Sequence, residues 1–246
     1  LLISPNAGLF RTAYELGITQ VILPEFDVLM ETTQETPHHQ YTVGEHTLKA
    51  IEQISADKVL RLTMLFHDIA KPMMKTIDDA GVAHFKLHDK GSEMTKQILR
   101  RLKFDNDTMN KVVKLVQFHD YRMPPTPKSV RRAMHQIGAE LFPYYLEVRR
   151  ADILAQSEYQ REEKLQNIAD IEKCYKDILA KQECVTLKDL AITGSDLIAD
   201  GMQPGKEIGV VLNELLNLVI EEPSYNTKEQ LLQLKNEIKF ERSTVS

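Results

Sequence analysis

The sequence predicts an all-α protein. Apolar residues recur at helical spacing along nearly the whole chain, capping residues and prolines punctuate those runs, and only Val82 to Phe85 has a strand-like pattern. At 246 residues the chain is long enough to bury a substantial core. No apolar run reaches the length of a membrane span and no secretory leader is present, so the expectation is a cytoplasmic protein without a membrane partner.

The elements follow from local signals. Ser4 followed by Pro5 starts a helix that Gly17 stops. A short segment runs from about Pro24 to Met30, and the stretch from Glu31 to Gln40 is polar. Thr42 caps the next helix. Its stripe of Val43, Ala50, Ile51 and Ile54 carries His46 on the inward face, three residues after Val43 and four before Ala50. Lys58 to Ala70 is apolar almost all round, the pattern of a helix at the centre of a bundle, and Pro72 ends it. Asp78 to Gly81 reads as a tight turn leading into a small hairpin through Val82 to Phe85. Helical patterns then cover about 90–103, 107–119, 128–138, 143–159 and 162–182, the last being the longest and most polar. Two more, at about 205–221 and 227–239, are separated at Pro223, and Thr227 caps the second. Gly201 and Gly205 allow a tight loop before the first of these, which reads first as a packed interhelical turn and second as a helix start whose free N–H groups could meet an RNA phosphate, and Gly209 within the helix permits close approach of another backbone or helix.

The formal net charge of -5 argues against a protein that is basic all over. Local basic clusters remain at Arg100, Arg101 and Lys103, at Lys128, Arg131 and Arg132, and at Arg149 and Arg150. Arg131, Arg132, Arg149 and Arg150 are the candidates for RNA contact. Cys174 and Cys184 have no metal-binding spacing and read as reduced thiols. Leu1 is not an initiator Met, which leaves room for the chain to be a piece of a longer one.

Imidazoles and carboxylates are spread through this helical pattern at His46, His67 and Asp68, His88, His119 and Asp152. Neutral imidazole and ionised carboxylate are what a divalent-cation site needs. His-Asp dipeptides occur at 67–68, 88–89 and 119–120, so the dipeptide alone decides nothing. The first stands out because its helix is otherwise apolar, and a carboxylate there is costly unless paired or metal-bound. Neighbours on a helix point about 100° apart, so both can grip one ion only at a helix edge. His46 is the natural third ligand. Asp152, set among Val148, Ile153 and Leu154, is the fourth, ahead of Asp120. His88 and His119 are candidates for a second ion or for holding a substrate phosphate. Lys71, just past the pair, could meet that phosphate as a point charge. His84 and His88 have the spacing of a zinc pair but straddle a loop, and His38 and His39 lie in the polar segment before the His46 helix, His39 near the mouth of the site or on a surface loop. The mixed ligand set suits Mn, Ni, Co, Fe or Zn at least as well as Mg.

Several motifs together resemble known families. His-Thr-Leu at 46–48, His-Asp-Ile-Ala-Lys-Pro at 67–72, His88, His119 and Arg-Ala-Asp at 150–152 resemble the HD phosphohydrolase superfamily. The stretches at 4–18, 23–26 and 34–48, with the tail at 193–212 and 226–232, are similar to the post-catalytic part of bacterial tRNA nucleotidyltransferases, the CCA-adding enzymes, and of related poly(A) polymerases. That family polymerises with a head carrying a Gly-Ser pair and an Asp-x-Asp motif. No such head is read here, and the resemblance begins about where the head ends, so it implies that this chain as given does not transfer nucleotides by itself. It implies an HD-domain helical bundle followed by a small C-terminal body, divided as 1–41 (neck-like), 42–184 (HD domain) and 185–246 (body with possible RNA contact). By motif position it places a divalent metal on His46, His67, Asp68 and Asp152. It implies a phosphohydrolase or phosphodiesterase acting on nucleotide or RNA-end phosphate esters, with Asp68 and Lys71 as catalytic groups. The other expectation is a tRNA-binding fragment of a CCA-adding enzyme or poly(A) polymerase with no catalysis of its own. No motif encodes the oligomeric state.

Overall fold

The structure, a computed structural model, describes residues 1–34, 41–77, 83–85 and 90–238. In chain order its elements are α1 (Leu9–Glu15), α2 (Ile18–Ile22), α3 (Pro24–Glu31), α4 (Val43–Glu52), α5 (Lys58–Phe66) and α6 (Lys71–Met74), then strands β1 (Lys75–Ile77) and β2 (Ala83–Phe85). There follow α7 (Lys90–Arg101), α8 (Asn106–Phe118), α9 (Pro127–Ile137), α10 (Phe142–Ala155), α11 (Arg161–Ala180), α12 (Gly194–Ala199), α13 (Lys206–Glu221) and α14 (Lys228–Lys235). The protein is all-α. The strands form one small antiparallel hairpin that pairs Lys75 with Phe85, Thr76 with His84 and Ile77 with Ala83. Among the described residues no helix is long and apolar enough to cross a membrane.

Side-chain caps set several helix starts. The Thr42 hydroxyl accepts from Glu45 N, Asp57 from Val59 N and Leu60 N, Asp105 from Thr108 N, and Thr227 from Gln230 N. Three differences from the sequence expectation have a local cause. First, α1 begins at Leu9 and not at Ser4, because the Ser4 hydroxyl closes a local turn with the backbone of Asn6. Gly17, at φ 71°, does end α1, and the short α2 starts directly after it. Second, α12 is an extra helix, opened by a capping box between Thr193 and Asp196.

The third difference matters most. The apolar helix ends at Phe66 and does not run to Ala70. Residues 67–70 form a tight turn, with Ile69 N bonded to Phe66 O and Lys71 N to Asp68 O. Pro72 is the cause. Its ring would collide with the carbonyl four residues back, that of Asp68, so the helix cannot continue through the pair. Pro72 instead sits in the first turn of α6, where its missing N–H costs nothing.

The chain divides into two compact units, one of residues 1–122 and 140–170, the other of residues 123–139 and 171–246. In the first unit α5 is packed by α4, α8 and α10, and α3 lies on α4. Phe26, Ile51, Met64, Phe66, Leu115 and Phe142 are fully buried there. The second unit packs α9, α12 and α14 against α13 around Leu197, Val211, Leu215, Leu216, Val219 and Leu231. Gly209 on α13 has nothing within 4 Å of an added Cβ, so the expected close approach of another backbone is not what this glycine serves.

The two cysteines of the second unit are free thiols in unlike settings. Burial, then the charge of Asp189, pushes the Cys184 thiol up to about 12, whereas Cys174 is half-buried. Thiolate is the reactive form. One equivalent of a thiol reagent is therefore expected to react quickly at pH 8, and labelled-peptide mapping should find it on Cys174. Equal labelling of both would contradict this packing.

Candidate metal centre

Three helix ends and one helix interior deliver the candidate residues to one place. His46 projects from the first turns of α4 and is fully buried. His67 caps the C-terminal end of α5, and Asp68 follows in the turn that Pro72 enforces. Asp152 lies in the last turn of α10. His119 caps the end of α8. The turn removes the angular problem of neighbours on a helix, and His67 Nε2 comes within 3.2 Å of Asp68 Oδ2.

His46 Nε2 lies 3.1 Å from His67 Nε2 and 3.0 Å from Asp152 Oδ1. His67 Nε2 is 3.8 Å from the same oxygen, and His46 Nε2 is 3.7 Å from Asp68 Oδ2. The outer nitrogens fix what these atoms are. His46 Nδ1 is 3.3 Å from Ala155 O and His67 Nδ1 is 2.7 Å from Met64 O. A carbonyl only accepts, so in the neutral rings Nδ1 carries the proton and Nε2 presents its lone pair. Two imidazole lone pairs and a carboxylate oxygen thus face one another with no hydrogen among them. A shared proton relieves one such contact, whereas a cation relieves all of them. The separations are those of adjacent ligands whose bonds to one ion are about 2.0–2.2 Å long, and His46, His67 and Asp152 form a group able to hold a metal.

The charges agree. Burial works against Asp68, yet His67, Lys71 and His46 hold its carboxyl well below the usual carboxylate range. Burial likewise opposes Asp152, and His46, His67 and Arg149 outweigh it. Burial pulls His67 down while Asp68 and Asp152 pull it up, and the result lies above 6.5. A field that draws a proton onto a buried imidazole also draws a cation. Asp68 Oδ2 is fully buried, 2.7 Å from Lys71 Nζ, and accepts no well-directed hydrogen bond.

Of the other candidates, His119 is close. Its Nδ1 bonds Val116 O at 2.7 Å, as His67 bonds Met64 O, and its Nε2 lies 3.7 Å from Asp68 Oδ1. Lys71 is buried, held by Gln34 Oε1 at 2.8 Å as well as by Asp68. His38, His39, His88 and the turn at 78–81 lie outside the described residues. Asp120 is not in the cluster. It is exposed and pairs with Arg122 and Arg149.

The arginines need correction. Arg131 is buried, with Nε donating to Ile220 O and Nη1 to Glu183, so it is used inside the fold and is not a surface phosphate contact. Arg149 is also buried, donating to His119 O and lying 3.6 Å from Asp152 Oδ2, which makes it a neighbour of the centre. Arg132 is exposed but tied to Glu221, and Arg150 is half-buried on α10. An Asp-x-Asp string does occur, at Asp105–Asp107, as a helix start: Asp105 caps α8 and Asp107 pairs with Lys111.

Two residues of the centre were missed in the sequence. Gln156 Nε2 donates to Asp152 Oδ2 at 3.0 Å, a contact that its position four residues on foreshadows. Gln34, from a distant polar stretch, leaves no such signal.

The family model for tRNA nucleotidyltransferase domain 2 matches residues 77–234, well over half of the chain. The chain belongs to the tRNA nucleotidyltransferase domain 2 family. Among curated relatives of this tRNA nucleotidyltransferase-family chain, an A-adding tRNA nucleotidyltransferase of Deinococcus radiodurans is 32% identical over 87% of it and 51% of the relative. A CC-adding tRNA nucleotidyltransferase of Thermus thermophilus is 30% identical over 94% of it and 52% of the relative. A multifunctional CCA protein of Actinobacillus pleuropneumoniae is 28% identical over 46% of it and 29% of the relative. The chain therefore spans about half the length of the first two relatives. The family-matched stretch holds Asp152, His119 and the C-terminal helices, while His46, His67 and Asp68 lie upstream of it.

Proposed function

We propose that this chain is the tRNA-holding part of a tRNA nucleotidyltransferase and contains an HD-type divalent-cation centre. The family match across 77–234, joined to relatives named for adding A or CC to tRNA, carries the reading. The transfer step is not assigned to this chain. Fluorescence anisotropy with labelled tRNA tests it. Binding is expected at about 50 mM salt and should weaken by roughly 50-fold or more on raising salt to about 200 mM, as for four or more phosphate contacts. A chain that binds no tRNA at the lower salt is not an RNA-holding body.

A second reading, a metal-dependent phosphohydrolase, is favoured by the meeting of His46, His67 and Asp152 around a point that needs a cation. His46, His67, Asp68 and Asp152 would hold the ion. A bound divalent ion polarises a phosphoryl oxygen and lowers the pKa of water. Asp68 would accept the proton, and Lys71 and His119 would orient and neutralise the phosphate. Turnover of a nucleoside 2′,3′-cyclic phosphate that requires added Mn or Ni and disappears in Asp152→Asn would put this reading first. Metal-independent or absent turnover would remove it.

A further inference from the structure

The end of α10 gathers positive charge beyond what the metal centre uses. Gln156 is its hub. Its amide donates to Asp152 Oδ2, its side-chain oxygen accepts from Lys164 Nζ at 2.9 Å, and its backbone oxygen accepts from Arg161 Nη2 at 2.7 Å. Arg149 approaches the same Asp152 oxygen from within α10. Among the described residues, Asp120 is shared between Arg122 and Arg149, and exposed Glu158 lies 3.9 Å from Arg161.

Three observations point to an anionic ligand and not to cations merely resting on a helix C-terminus. Arg149 is only 8% exposed, yet among the described residues its buried Nε–H has no hydrogen-bond partner, and the Nε of Arg161 is in the same state. Burial lowers Lys164 below the ordinary lysine range, and Arg122, Arg149 and Arg161 add to this while Asp152 opposes it. The centre is not fully closed on this side. The side chain of Asp152 is 8% exposed, against 1% for His46 and His67, and Arg161 alongside is 29% exposed.

We propose that Arg149, Arg161 and Lys164 form a phosphate-binding wall beside Asp152, at the edge of the metal centre. A phosphate dianion suits it better than a carboxylate, because its several oxygens accept from two guanidinium forks and an ammonium at once. This deepens the proposed function by naming the residues that receive the phosphate, and rests on it only for the phosphate's source.

Isothermal titration of the full chain with inorganic phosphate, in Mn-loaded and in chelator-treated protein, reads the wall directly. Arg161→Gln and Lys164→Met are the variants, since both side chains are partly exposed and Arg149 stays in place. Each should weaken phosphate binding about tenfold, and the pair by more than either alone, with metal content at the wild-type level. Unchanged phosphate affinity in the double variant overturns the proposal. So does a parallel loss of metal, which would make these side chains positioning residues for Asp152. If wild type takes up no metal but the variants still lose phosphate, the cation centre fails and the wall stands. Competition with the dinucleotide CpA identifies the source: tighter binding than inorganic phosphate assigns the wall to RNA, weaker binding to free phosphate.

Discussion

Asp152→Asn is expected to abolish divalent-metal uptake at the candidate centre while leaving the fold intact. The substitution keeps the shape of the side chain and removes its charge. The new amide can also donate to His46 Nε2, now 3.0 Å from Asp152 Oδ1, and so occupy the lone pair that a cation needs. Loss of an outer-shell partner typically costs 10–100-fold in metal affinity, and a ligand lost in this way should cost at least about 100-fold. Arg149 keeps Asp120 and His119 O as partners, so no buried cation is stranded. Asp68→Asn makes the contrast. There the buried Lys71 loses its carboxylate at 2.7 Å, and breaking a buried pair costs about 3–5 kcal/mol. Elemental analysis and chelator competition on Asp152→Asn, with melting curves for both variants, check the pair. Wild-type metal content in Asp152→Asn would show that the imidazoles face each other for some other reason.

Gly44→Ala will be the most damaging single methyl added near the centre. A Cβ at Gly44 would lie 2.4 Å from Met30 Sδ and 2.7 Å from both Met30 Cα and N. The thioether can swing aside, but the Met30 backbone cannot without moving α3. The helices must separate, at a cost of about 3 kcal/mol. His46 is two residues along the same helix, so its imidazole leaves the cluster as well. A fall in melting temperature of about 5 °C or more is expected, together with reduced metal content. Gly209→Ala on α13 is the control. It has open space, and should be neutral or more stable by about 0.5–1 kcal/mol. Equal melting of the two variants would mean that α3 and α4 are not in close contact at Gly44.

The burial and convergence of the candidate side chains could largely be read from residue setting. His46 sits on an apolar face, Asp68 in an apolar run, and Asp152 between inward-facing neighbours, and all three are buried. The helix break at Phe66 was less visible. Its cause is Pro72, and a proline acts through the carbonyl four residues back, so it breaks the helix well before its own position in the sequence. The basic clusters misled for a geometric reason. Arg131 and Arg132, like Arg149 and Arg150, are helix neighbours about 100° apart, so one of each pair turns inward, and charge alone does not say that it finds a partner there. Arg131 finds Glu183 and Ile220 O. The second unit draws residues from both sides of a segment belonging to the first. Such an excursion depends on long-range packing and leaves no shift in composition.

That excursion limits how the molecule can be dissected. The backbone passes from one unit to the other after residues 122, 139 and 170, the last time within the continuous helix α11. No single cut separates the two, and a shortened protein ending at 170 would keep α9 while discarding α13, the helix on which it packs. Trimming from the carboxyl end therefore exposes apolar surface in what remains, and insolubility of such a product would reflect topology and not a requirement of the metal centre.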